Sequence, residues 1–96
     1  MTISSDSDLN MILEKDSKIL KSEKSVLVAV NPVEGIYNLT IKADKNGIST
    51  IFIMRLKKGE DSINSVYQIR LKKDTRQQYK LTYSTSPSEI FHLQPL

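Results

Sequence analysis

Ninety-six residues, 39% of them apolar and 26% charged, describe one small folded domain with a single core rather than a disordered chain. The absence of cysteine removes disulfides, thiolate metal sites and cysteine nucleophiles together, and no apolar run approaches the roughly 20 residues of a membrane-spanning helix. The net charge of +3 is uneven, with six acids against four lysines in residues 1–34 and eight Lys/Arg against Glu60, Asp61 and Asp74 in residues 55–80; an excess of this size is usual for a solvated surface.

The chain opens on "MTISSDSDLN", which carries Asp6 and Asp8 and no basic residue before Lys15. That is not the pattern of a signal peptide, and residues 1–6 are expected to be a less regular terminus. Residues 8–22 support two readings. Leu9, Ile12, Leu13, Ile19 and Leu20 fall at helical spacing, with Asp6 or Asp8 as a cap. Alternatively "LNMILEK" and "KILKSE" form two short strands around Asp16-Ser17, with Leu9, Met11 and Leu13 facing inward. "SVLVAV" comes next as a short strand rich in β-branched residues.

"VNPVEGIYNLTI" (Val30 to Ile41) sets a turn of Asn31, Pro32 and Gly35 before a clean alternation. Tyr37, Leu39, Ile41 and Ala43 point one way; Asn38, Thr40 and Lys42 point the other. In "DKNG" (Asp44 to Gly47), Asn46-Gly47 predicts a hairpin. "ISTIFIMRLKK" then returns, apolar on both faces from Ile51 to Met54, as in a central strand or one with a covered outer face. "KGEDS" turns the chain into "VYQIRLKK", where Tyr67, Ile69 and Leu71 alternate with Gln68, Arg70 and Lys72. "DTRQ" turns again into "YKLTY", with Tyr79, Leu81 and Tyr83 inward. The tail, residues 85–96, holds Pro87 and Pro95 and is expected to be less regular, with a last edge strand at Glu89 to Leu93.

Taken in series, "SDLNMILEKDSKILKSE", "SVLVAVNPVEGIYNLTI" and "NSVYQIRLKK…QQYKLTYS" resemble small β-sandwich accessory domains of exported bacterial proteins. These are the immunoglobulin-like and pre-peptidase C-terminal-like modules found beside von Willebrand factor A or hydrolase domains. The resemblance covers roughly residues 7 to 84 and is carried chiefly by "NPxxGxY". It departs from the family pattern at Glu14-Lys15, where an Asp-Pro and a turn glycine are usual, which keeps the helical alternative open. It implies the strand assignment, an extracellular or cell-surface setting and an accessory role.

Candidate chemistry is sparse. His92 is the single histidine and lies in the proline-flanked tail, a poor place for a preorganised base. Asp6, Asp8 and the "DKNG" loop offer oxygen ligands for calcium but lack the further acids of a calcium loop. Glu60 and Asp61 are adjacent acids in a turn, not two carboxylates across a cleft. No catalytic residue, metal site or cofactor is assigned. Lys42, Arg70, Lys72 and Lys80 stand on the side opposite the tyrosines and are the candidate ligand-binding residues, as a basic sheet face for an anionic polysaccharide, membrane surface or nucleic acid. Without exposed aromatics for stacking, specific nucleic-acid binding is not expected. Ile51 and Ile53 are the candidate partner-contact residues.

The sequence therefore predicts an all-β, immunoglobulin-like sandwich of about seven short antiparallel strands in a single domain over residues 1–96. Its expected role is a non-catalytic accessory module contacting a neighbouring domain or protein partner. Two alternatives accompany it: a small binding protein for anionic ligands, and, with an N-terminal helix and an α+β fold, a stand-alone intracellular inhibitor or regulator.

Overall fold

The structure, a computed structural model, describes residues 1–57, 60–84 and 91–96. Those residues form nine strands and no helix: β1 (Thr2–Ser5), β2 (Leu9–Lys15), β3 (Lys18–Lys24), β4 (Val26–Val28), β5 (Gly35–Ala43), β6 (Gly47–Lys57), β7 (Glu60–Leu71), β8 (Arg76–Tyr83) and β9 (Phe91–Pro95). They assemble into a four-stranded sheet, ordered β4-β1-β6-β7, and a five-stranded sheet, ordered β3-β2-β5-β8-β9. All strand pairings are antiparallel. The chain is thus an all-β sandwich with nine strands among the described residues, where about seven were expected. The N-terminus is more regular than the sequence suggests, since it contributes β1, and β9 is the last strand expected in the tail, here at Phe91–Pro95.

The N-terminal ambiguity resolves to strands. Asp16 and Ser17 both hold positive φ, 54° and 66°, the backbone of a tight two-residue hairpin turn closed by the Lys15–Lys18 pair. A helix cannot continue through two such residues. Leu9, Met11 and Leu13 are fully buried, whereas Ile19, which a helix would have placed on its apolar stripe, is 66% exposed. The two-residue period decides the matter because three core positions satisfy it. The α+β alternative, and the intracellular regulator built on it, lose their premise.

The hairpin expected at "DKNG" is not there. β5 and β6 lie in different sheets, so Asp44–Gly47 is a crossover. Asn46 has another use; its Oδ1 accepts from the Lys73 amide at 2.9 Å and ties this loop to the β7–β8 connection. The hairpin between β6 and β7 is present, with Lys57 paired to Glu60. Its tip lies outside the described residues, as do the side chains of Glu60 and Asp61 and the strand start expected at Glu89.

The connectivity shares one element with immunoglobulin sandwiches. β1 pairs with β4 in one sheet, and their successors β2 and β5 pair in the other. This interlocking is that of strands B and E against C and F in immunoglobulin sandwiches. Tyr37, near the start of β5, supplies the matching corner. Its hydroxyl donates to the carbonyl of Val33, four residues back in the turn that enters the strand, as in the tyrosine corner of that fold. Gly35 (φ 146°) makes the entry possible, with the Lys15 side chain packed over the place a Cβ would occupy. Asn31 (φ 50°) begins the same corner in a conformation asparagine tolerates.

The core lies between the sheets. Ile3, Leu27, Ile51, Ile53, Ile69 and Leu71 face Leu9, Met11, Leu13, Leu39, Ile41 and Leu81, with Tyr83 and Phe91 stacked at a ring separation of 5.2 Å. Each such aliphatic burial contributes about 1.5–3 kcal/mol. The burial of Ile51 and Ile53, both 0% exposed, corrects their assignment as partner-contact residues. β6 pairs with β1 on one side and β7 on the other, and its odd-numbered positions here point into the sandwich.

Candidate functional site

Lys42 and Lys80 sit on the outer face of the five-stranded sheet, where they are cross-strand neighbours of Arg76 and Asn38 respectively. Arg70 lies on β7, in the other sheet. Lys72 falls beyond the end of β7, its amide donating to Gln77 Oε1 at 3.1 Å. The four residues therefore do not gather on one face. Sequence alternation reports which way a side chain points relative to its own strand, and not which sheet the strand joins.

The basic row that does form runs from Lys24 through Asn10 to Lys42 and Arg76. Its end is bordered by acids. Lys24 Nζ is 3.6 Å from Asp8 Oδ2, and a shallow cleft of about 220 Å³ is lined by Lys24 and Lys42 together with Asp8, Asp44 and Asp74. This mixed field suits solvation better than a polyanion.

Asp6 and Asp8, which the sequence offers as helix caps or calcium ligands, instead form the corner where β1 passes into β2. Asp6 Oδ1 accepts from the Thr50 amide and the Ser49 hydroxyl, each at 2.9 Å, and those bonds, the amide first, hold its pKa below the ordinary value. Asp8 Oδ1 accepts from Ser25 Oγ at 2.9 Å, and that bond, with the Lys24 charge, lowers its pKa as well. Ser25 (φ 66°) is the switch residue between β3 and β4. Its amide donates to Leu9 O in one sheet while its carbonyl accepts from Ser5 N in the other. The carboxylates thus lock a sheet-to-sheet corner. Among the described residues no three His, Asp or Glu side chains are placed to share a metal ion. His92 is exposed on β9 with Nε2 3.3 Å from Gln94 Oε1.

The feature that sets the molecule apart is the outer face of the four-stranded sheet. Cross-strand registers align Val26, Ser4, Phe52 and Val66 in one row and Val28, Thr2 and Met54 in the next. Val26 and Val66 are 41% and 54% exposed, and Val28, Phe52 and Met54 are half-buried. Thr50 and Gln68 continue the face, and Ile48 pairs with Arg70 at its end. Among the described side chains of these rows only Arg70 is charged. Sandwich sheets ordinarily alternate core residues with polar outward ones, as the opposite sheet does with Asn10, Thr40, Lys42, Gln78 and Lys80. The sequence signal for this face was the doubly apolar run Ile51–Met54; what the sequence lacked was which of its two alternating sets pointed out. It is Phe52 and Met54.

Comparison with protein-family models, with curated proteins and with solved structures gives no match for the chain.

Proposed function

We propose that this protein is a non-catalytic interaction module that docks onto a neighbouring domain or a protein partner through the outer face of its four-stranded sheet. The carrying observation is the uncharged pair of rows centred on Phe52 and Met54. Contiguous exposed apolar surface on a small soluble domain marks a contact site, and depletion of charge with aromatic and Met enrichment is the composition of an interface centre. The connectivity element shared with immunoglobulin sandwiches and the Asn31-Pro32 to Tyr37 corner support an accessory-domain role, and the resemblance of these segments to exported bacterial modules supports an extracellular or cell-surface setting. A basic face for anionic ligands has less support, because its residues divide between the two sheets and acids border the row that remains.

Photocrosslinking in the protein's own cells tests the docking face. A benzophenone side chain at position 66 is expected to yield a discrete protein adduct, and the same group at position 80, on the opposite sheet, none. Phe52→Lys should abolish the adduct at 66 while leaving the β circular dichroism spectrum unchanged. Adducts at 80 and none at 66 would overturn the proposal. As a check on the two faces of β6, Ile53→Ala should cost about 2–4 kcal/mol of stability in urea unfolding, whereas Phe52→Ala should cost far less.

A further inference from the structure

We infer that the free edge of β4 pairs with the same edge of a second copy of this chain, joining two four-stranded sheets into one of eight strands. The two sheets of the sandwich have four edges between them, formed by β4, β7, β3 and β9. Sheet edges present unpaired main-chain groups, and proteins blunt them with charge, proline, bulges or cover. Three of the four are blunted here. On β9, Leu93 N donates to the Tyr67 hydroxyl at 3.1 Å and Phe91 O accepts from Ser65 Oγ at 3.4 Å, so side chains from β7 of the other sheet cover it, and Pro95 closes its end. β3, "KILKSEK", carries three lysines. β7 bears Arg70 and meets β6 with a register shift between Ile53 and Met54.

β4 has none of these devices. Val26, Leu27 and Val28 continue into Ala29 and Val30 with no charge, and proline is delayed to Pro32. The strand runs against β1 without a register shift. Its bonding to β1 falls on odd-numbered residues: Ala29 N donates to Met1 O at 2.8 Å, and Ser25 O accepts from Ser5 N at 3.0 Å. In an antiparallel ladder the intervening residues then turn their main-chain groups the other way. The N–H and C=O of Val26 and Val28 therefore face the open side, with no strand beyond them in the sheet among the described residues.

This edge is complementary to itself. A two-fold axis at Leu27 sets Val26 opposite Val28 of the second copy and Val28 opposite its Val26. Both are hydrogen-bonded pairs, so the two junctions exchange four N–H···O bonds. The same operation brings the outward side chains of Val26 and Val28 against their copies and fuses the two apolar faces into one. No charged side chain lies on the β4 strand itself, so the chain's net charge of +3 acts only as a general repulsion, which added salt relieves. Val26 and Val28 belong to both features, but the pairing acts through the β4 main chain, whereas docking is read from position 66 on β7.

The chain has no cysteine, which allows a direct test of the register. Hydrogen-bonded antiparallel partners have Cα atoms about 5.5 Å apart, within disulfide range. An equimolar mixture of Val26→Cys and Val28→Cys chains is expected to oxidise to a covalent heterodimer faster than either chain alone forms a homodimer. In sedimentation equilibrium the unmodified chain should rise from its monomer mass of 10.9 kDa towards twice that value with concentration, and more readily in high salt. Val28→Pro removes a donor that faces away from β1, and Val26→Lys adds the missing edge charge; both should abolish the mass increase while preserving the circular dichroism spectrum. A chain that stays monomeric at millimolar concentration overturns the inference. So does a mixture with no preference for the heterodimer, or association that persists in both folded variants. Face-specific crosslinks from position 66 survive any of those outcomes, so failure of the edge and failure of the docking face are distinguished.

Discussion

Tyr37 does two jobs at one position. Its ring enters the core with almost no exposure, and its hydroxyl satisfies the Val33 carbonyl in the turn behind it. Tyr37→Phe keeps the first and removes the second, leaving a part-buried carbonyl without its donor. The expected cost is about 1–2 kcal/mol, or a fall in midpoint of roughly 5–10 °C for a domain of this size, with strand content unchanged. Burial raises the Tyr37 pKa above its ordinary value of 10.0. A raised value means the folded state holds the proton more tightly, so this stability is complete below pH 10 and is lost as pH rises through the folded pKa. Thermal midpoints measured from about pH 8 to about pH 11 should therefore fall more steeply for the parent chain than for Tyr37→Phe. Asp6 has the opposite sign. The Thr50 amide and Ser49 hydroxyl lower its pKa below the ordinary 3.8, so its contribution is present above that pH and disappears as pH falls through the folded value. Urea midpoints of the parent and Asp6→Ala should be separated near pH 7 and converge towards about pH 2; a constant gap would mean the Asp6 charge has no part in the corner. Alternation alone placed Tyr37 in the core. The destination of its hydroxyl, and the partners of Asp6 some 44 residues away in sequence, depend on loops folding back, which local patterns do not report.

The hairpins show how turn chemistry and topology part company. β2 and β3 are joined by Asp16-Ser17 with both φ values positive, a backbone that L residues other than Asn and Asp adopt at a cost. The double change Asp16→Asn with Ser17→Gly supplies the residues this turn favours and should stabilise the domain by about 1 kcal/mol in urea unfolding. The Lys15–Asp16 ion pair that the exchange removes is 3.2 Å long but largely exposed on the Asp16 side, so its loss costs little. A net loss of stability would mean Ser17 is held by more than the turn. Asn46-Gly47, the sequence's best hairpin signal, instead joins strands in different sheets. The character of the strand entered there explains the difference. β6 is flanked by β1 and β7, a central position that an apolar strand such as "ISTIFIM" favours over a hairpin edge. Strand existence and facing were thus legible along β5, β7 and β8, because one face of each is buried and the two-residue period records it; for β4 only the strand itself was legible. Facing within β6 was not, since Ile51, Phe52, Ile53 and Met54 are apolar on both sides and leave the period silent.

Pairing order at the level of the whole molecule was beyond local reading. β1 (Thr2–Ser5) is only four residues long, polar in three of its positions, and sits in sequence where a frayed terminus is expected. Yet it lies between β4 and β6 in the four-stranded sheet and places Ile3, with no exposed surface, in the core. Its neighbours are distant in sequence: Ile3 pairs with Leu27 on one side and Ile53 on the other. A short central strand closes the sheet, whereas an edge strand of similar length only widens it. Removing β1 exposes main-chain groups on two strands and opens the core, while removing β9 exposes them on one. A chain beginning at residue 7 should therefore lose cooperative unfolding and bind a hydrophobic dye. A chain ending at residue 84 should unfold at a lower midpoint but still in a single transition. A synthetic peptide of residues 1–8, added in excess to the first truncation, should restore part of the cooperative signal by mass action, because it binds the folded form alone. Should the chain lacking β1 keep a cooperative transition near the parent midpoint, the four-stranded sheet would not depend on its smallest central member, and the order β4-β1-β6-β7 would be wrong.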